Sequence, residues 1–166
     1  MSTLDDLRKE INEEKVIIIT GSGVTASLTG NQQEATWSGL VRKGAEVISE
    51  TNQTEGQALL NRINTDGNLE ILASEIKEKL SADNKFNQFI TQTIGKLELK
   101  DDSLAEALRT LRCPIFTTNY DIVLDDALQR PPVSWKQPSM FRDILHGRRR
   151  GIGHIHGVWS EPNDII

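Results

Sequence analysis

The stretch VIIITGSGVTA, residues 16–26, limits the possible fold more than any other part of the chain. Val16, Ile17, Ile18 and Ile19 form an unbroken β-branched run closed by Thr20. Such side chains are stiff at χ1 and suit a pleated backbone, and a run with no polar position wants cover on both faces, as a central parallel strand has. Gly21 and Gly23 follow at once, and a helix start after them completes the opening of a parallel βα unit. The spacing Gly21-Ser22-Gly23-Val24-Thr25-Ala26 also fits a dinucleotide fingerprint. Gly21 would permit the tight turn, Gly23 would let backbone N–H groups approach a pyrophosphate, and the helix start would add its positive end. A plain surface turn explains three letters equally well. The acid that an oxidoreductase places about twenty residues on to bind ribose is matched only by Glu46, in a helical stretch.

The remaining pattern extends the same architecture. Leu4, Leu7 and Ile11 recur at helical spacing over residues 4–13, giving a helix with one face to bury. From Thr36 to about Lys100 the apolar period is helical throughout, which is longer than a simple crossover and predicts a helical insertion or lid beside the sheet. SLAEALRTLR, 103–112, reads as a helix capped by Ser103 with Glu106 three positions on, and Pro114 ends it. IFTT at 115–118 returns to strand composition. Residues 121–129 read as a helix, PPVSW as an extended link into a strand, 139–147 as a helix closed by Gly147, and RRRGIGHIHGVW as a loop entering another strand. No internal repeat or low-complexity tract interrupts this order. The fold class is therefore α/β: a Rossmann-like parallel sheet with helices on both faces, in one domain spanning 1–166, with a helical insertion over 36–100.

Composition excludes several functions. With 19 Lys and Arg against 24 Asp and Glu, the net charge of -5 draws the chain toward neither nucleic acid nor an anionic membrane. A single cysteine, Cys113, rules out an internal disulfide framework and any zinc site built from several thiolates, and fits a reduced, cytoplasmic setting. No run approaches the roughly 18 to 20 apolar residues needed to span a bilayer.

In an open parallel sheet the ligand lies beyond the carboxyl ends of the strands, so the residues after VIIIT, IFTT and GIGHIH should converge. TTNYD at 117–121 carries Asn119 and Asp121, which favour turns on their own account because their side chains bond local backbone. GHIHG at 153–157 places His154 and His156 two apart, on one side of a strand if the strand runs through both. Metal coordination would need a third ligand, and none is near in sequence, so no metal is expected. His154 reads as a buried, hydrogen-bonded histidine, and His156, beside Gly157 at the strand's end, as the one facing the cleft.

GSGVTA, then TTNYD about a hundred residues later, then IHG, resembles the motif order of the sirtuin superfamily, and more closely its SIR2-like branch of the bacterial anti-phage defence type. The resemblance implies NAD as substrate. It implies that the turn of Gly21, Ser22, Gly23 and Val24 binds the pyrophosphate, that Asn119 and His156 act on the nicotinamide ribose, and that Asp121 helps hold the nicotinamide carboxamide. Ser22 and Thr118 would hydrogen-bond phosphate or ribose, and Trp37 is similar to a Trp that this branch places after its glycine motif. Tyr120 reads as a packing residue, and Arg148, Arg149 and Arg150 as a solvated run.

The chain departs from the deacylases of that superfamily, because SLTGNQQEATW replaces their segment after the first motif and no four-cysteine module follows the His motif. The resemblance therefore implies NAD hydrolysis to nicotinamide and ADP-ribose, in a homo-oligomer, with a sensor domain or partner protein outside this chain and the domain shortened or part of a longer protein. A non-catalytic NAD or ADP-ribose sensor or scaffold, an ADP-ribosyltransferase or deacylase, and a cofactor-free interaction domain remain the other readings.

Overall fold

The described residues form four three-residue strands: β1 (Ile18–Thr20), β2 (Ile115–Thr117), β3 (Pro132–Ser134) and β4 (Ile152–His154). The computed structural model describes residues 3–65 and 68–165. In it these strands make a four-stranded, wholly parallel sheet in the order β1-β2-β4-β3, within a mixed α/β fold.

Register decides what each face buries. Ile18, Ile115 and Ile152 stand in one row, and Ile19, Phe116, Gly153 and Val133 in the next, so the two rows point to opposite faces. Helices α2 (Ser22–Leu28), α7 (Ser103–Leu111) and α8 (Val123–Leu128) cover the first face, where Leu28, Ala105 and Leu124 pack on Ile115 and Ile152. Helix α9 (Pro138–Leu145) packs on β3 and β4 and covers the second face through Ile144, against Phe116 and Val133. Gly153 is a glycine for steric reasons: a Cβ there would lie 2.3 Å from the Phe116 ring. Gly153→Ala is therefore expected to destabilise the chain by about 1–3 kcal/mol, read as a lower denaturant midpoint at unchanged slope.

The long helical stretch forms α3 (Trp37–Thr51), α4 (Gln53–Thr65), α5 (Leu69–Ala82) and α6 (Phe86–Thr93). They bury a core of their own, with Leu40, Ile48, Leu59, Leu72, Ile76 and Phe89 among its members.

Three local expectations are corrected. β1 is an edge strand and not a central one, since it pairs only with β2; α9 lies over β3 and β4 at the far side of the sheet, and Ile19 is 66% exposed and Ile17 46%. The amphipathic N-terminal helix α1 (Thr3–Asn12) forms but buries no residue, and Leu4 is 64% exposed. Helix α7 is not capped by Ser103, which is its first residue; the Asp101 carboxylate accepts the Ser103 N–H at 2.9 Å instead. That hydrogen bond lowers the Asp101 carboxyl below its ordinary range.

Candidate functional site

The carboxyl ends of β1, β2 and β4 are bound together by main-chain hydrogen bonds. Thr118 N–H donates to the Thr20 carbonyl at 3.1 Å, Ile155 N–H to Thr117 at 2.8 Å, and Trp159 N–H to Tyr120 at 2.8 Å. These bonds bring the glycine turn, TTNYD and the second half of GHIHG side by side. Between them and helices α3, α5 and α6 lies a cavity of about 560 Å³. Ser22, Trp37, Thr118, Asn119, Asp121 and His156 all line it. Its far wall is apolar, built from Leu40, Ile76, Phe86 and Phe89, with Glu34, Glu70 and Lys77 supplying charge. The volume is in the range of small-molecule and cofactor sites, and an apolar wall facing a few polar groups is their usual chemistry.

The glycine motif is less involved than its spacing suggests. Gly21, Gly23 and Val24 do not line the cavity, and Val24 packs toward the sheet-side core. Gly21 has φ -137 and ψ -169, extended backbone open to any residue, so no left-handed turn demands it. A Cβ on Gly23 would meet nothing within 4 Å, which leaves open space beside its backbone. α2 has only 7 residues, too few for a strong macrodipole. Gly157, beside His156, is a glycine that geometry does require, since an L side chain rarely adopts its φ of 96.

The two histidines of GHIHG occupy separate environments. His154 closes β4 and is fully buried, whereas His156 lies in the turn beyond it, partly buried at the cavity wall. The two imidazoles therefore do not share a strand face, and among the described residues no group of three or more His, Cys, Asp and Glu is placed to hold a metal ion. His156 makes no hydrogen bond to another described residue, so both its ring nitrogens are left for a ligand or solvent.

Asn119 is held at three atoms, and its main-chain N–H donates to Thr117 Oγ1 at 3.1 Å. Its Nδ2 donates to Thr25 Oγ1 at 2.7 Å, and Thr25 in turn donates its hydroxyl to the Asp121 carboxylate at 2.9 and 3.1 Å. Its main-chain carbonyl accepts from His154 Nδ1 at 2.9 Å. The side-chain carbonyl oxygen and the second amide hydrogen of Asn119 stay available to a ligand. Asp121 is only 5% exposed and also accepts the Val123 N–H at 3.0 Å, so its carboxylate chiefly secures Thr25 and the start of α8. Burial pushes the Asp121 carboxyl up, against the pull of Thr25, Val123 and His154. Tyr120 packs against the helical core as well as lining the cavity, and burial raises its phenol.

Thr25 and Asp125 are the polar residues that sequence reasoning missed. Thr25 sat unremarked inside the glycine motif. Asp125 follows Asp121 by four residues, the spacing that puts two helical side chains on one face, and that was its available signal. Its carboxylate oxygens lie 3.1 and 3.2 Å from His154 Nε2. Burial alone would lower the His154 imidazole, but the hydrogen bond and charge of Asp125, together with the Asn119 carbonyl, outweigh it and hold the ring above its ordinary value of 6.5. Burial pushes Asp125 up as well.

Asp121, Asp125 and His154 thus all bind protons more tightly folded than unfolded. That sign makes stability fall as pH rises. The His154 share is present in full below about pH 6.5 and is lost as pH climbs through its raised folded value. A higher melting temperature at pH 6 than at pH 8.5 is expected, with the slope flattened in a variant lacking both His154 and Asp125; a flat wild-type profile would contradict it.

Among the described residues no helix is long and apolar enough to cross a membrane. No family model matches the sequence and no curated protein is significantly similar to it, so a functional reading stands on the geometry of this cavity.

Proposed function

We propose that this chain is an NAD glycohydrolase on a Rossmann-like sheet of the sirtuin type, cleaving the bond between nicotinamide and ribose. The observation that carries the reading is the convergence of Ser22, Thr118, Asn119 and His156 from three strand ends onto one cavity. That is where an open parallel sheet binds its ligand.

The pyridinium of NAD is cationic, so nicotinamide departs as a neutral molecule when the glycosidic electron pair returns to the ring. No general acid is needed, in contrast to ordinary glycoside hydrolysis. What the protein must supply is position and charge stabilisation for an oxocarbenium-like ribose, with water held against the anomeric carbon. Asn119 suits that task because its free carbonyl oxygen accepts from water or a ribose hydroxyl while its amide hydrogen donates. His156 suits the proton released as water adds, taken directly or through a ribose hydroxyl, since an imidazole nitrogen at the cavity wall can accept it. Ser22 and Thr118 face the same cavity as donors to phosphate or ribose oxygens. Trp37 and the apolar wall offer a surface for a flat ring. The reading extends to a cytoplasmic, homo-oligomeric defence effector that depletes NAD.

The full chain incubated with NAD and followed by mass spectrometry should yield nicotinamide and ADP-ribose in equal amounts with the protein mass unchanged. An added ADP-ribosyl mass on the protein would mean transfer instead, and NAD bound but intact would mean a sensor. NAD neither bound nor cleaved would overturn the reading.

A further inference from the structure

The mechanism above uses neither His154 nor Asp125, yet these are the most deeply buried ionisable residues beside the site, 0% and 2% exposed. Neither lines the cavity, so neither touches a ligand. We propose that His154 and Asp125 form a positioning pair for Asn119, clamping the main chain of the TTNYD loop so that the Asn119 amide meets the ribose at a fixed place. This rests on reading Asn119 as the group that acts there.

The geometry supports a grip on the main chain. A backbone carbonyl can only accept, so the 2.9 Å contact with Asn119 requires a proton on His154 Nδ1. Nε2 faces both oxygens of Asp125, and with the pair sharing one further proton every polar atom in it is satisfied. The ring thus bridges the two ends of the segment joining β2 to α8: residue 119 at one side, residue 125 in the helix at the other. It does so from the neighbouring strand β4. Thr25 anchors the side chain of the same Asn119 from α2. Main chain and side chain are held from different elements.

Energetics point the same way. Burying an ionisable pair is a poor route to stability, since apolar residues of similar volume often serve as well or better. A leucine or phenylalanine would fill the space but cannot hold a carbonyl oxygen in a set direction. A shift of about 1 Å at a reacting group can cost about 100-fold in rate, which is the scale on which such a clamp matters.

The test replaces both partners with apolar residues, His154→Phe with Asp125→Leu, which leaves no unpaired charge inside. Nicotinamide release is then measured in wild type, in this variant, in Asn119→Ala, and in all three changes combined. Expected is a fall in kcat of about 100-fold with KM within about 3-fold, and no further loss when the pair is replaced in the Asn119→Ala background. An unchanged kcat, or the same fold loss in both backgrounds, would overturn the proposal. A measurement on wild type does not depend on the variant's folding: the His154 ring should show a slowly exchanging Nδ1 proton, coupled through its hydrogen bond to the Asn119 carbonyl carbon. A rapidly exchanging ring, or one protonated at Nε2 alone, overturns it. If wild type releases no nicotinamide, the catalytic reading fails, and the ring signal still decides whether His154 holds Asn119.

Discussion

His156→Ala is expected to release nicotinamide at no more than about a hundredth of the wild-type rate, and Asn119→Ala likewise, with the fold intact in both. A positioned acid or base contributes about 10²–10⁴-fold, and His156 is the only imidazole that lines the cavity among the described residues. It is partly buried and bonds no other described residue, so its removal empties no core space and orphans no partner. The melting temperature of His156→Ala should stay within about 2 °C of wild type, the response to well under 1 kcal/mol in a chain of this size. Circular dichroism and a melting curve on the same samples as the rate assay separate loss of chemistry from loss of structure. Wild-type rates in both variants would remove these two residues from the mechanism.

The same substitution two residues earlier should do the opposite. His154→Ala is expected to destabilise the chain by about 3–5 kcal/mol, because it leaves the 2%-exposed Asp125 carboxylate buried without its partner and frees the Asn119 carbonyl. For a chain of this length that corresponds to a melting temperature lower by roughly 6–20 °C. Breaking one side of a buried pair differs from replacing both sides, which is why the paired apolar variant serves the kinetic test and this single one serves the stability test. A His154→Ala protein that melts with wild type would mean the Asp125 contact contributes nothing to the fold. On the proposed reading the two histidines of one five-residue motif have separate work: the buried one holds the site, and the cavity one acts in it.

Local chemistry made much of this legible. The β-branched runs at 16–20 and 115–118 could not bury their side chains as helices of that length, and each was followed by residues whose backbone preferences end a strand. Strand ends in a parallel sheet gather on one side, so the sequence alone is enough to bring Ser22, Asn119 and His156 together. Strand order was not legible. Nothing within VIIIT states whether a neighbour will lie beyond it, and its apolar pattern suggested a central strand where the sheet has an edge. Whether Leu4 and Leu7 find cover depends likewise on distant packing. Asp125 and Asp126 are adjacent acids that look equivalent in sequence, and only the approach of β4 makes one of them a buried partner. The glycine motif misled in detail, since its spacing implied a turn that needs glycine at 21 and the backbone there is extended. Gly153 carries no signal of its own in the sequence, yet it is the glycine that Phe116 compels.

The central claim is spatial: the segments after β1, β2 and β4 surround one dinucleotide. It is tested most directly by titrating NAD into isotope-labelled protein and following the His156 ring, the Asn119 side-chain amide and the Thr118 amide by NMR. These three signals should move together with a single binding constant, while the exposed methyl groups of Leu4 and Ile19, outside the cavity, stay still. Signals at 118, 119 and 156 that do not respond to millimolar NAD, or that respond at different concentrations, would contradict it.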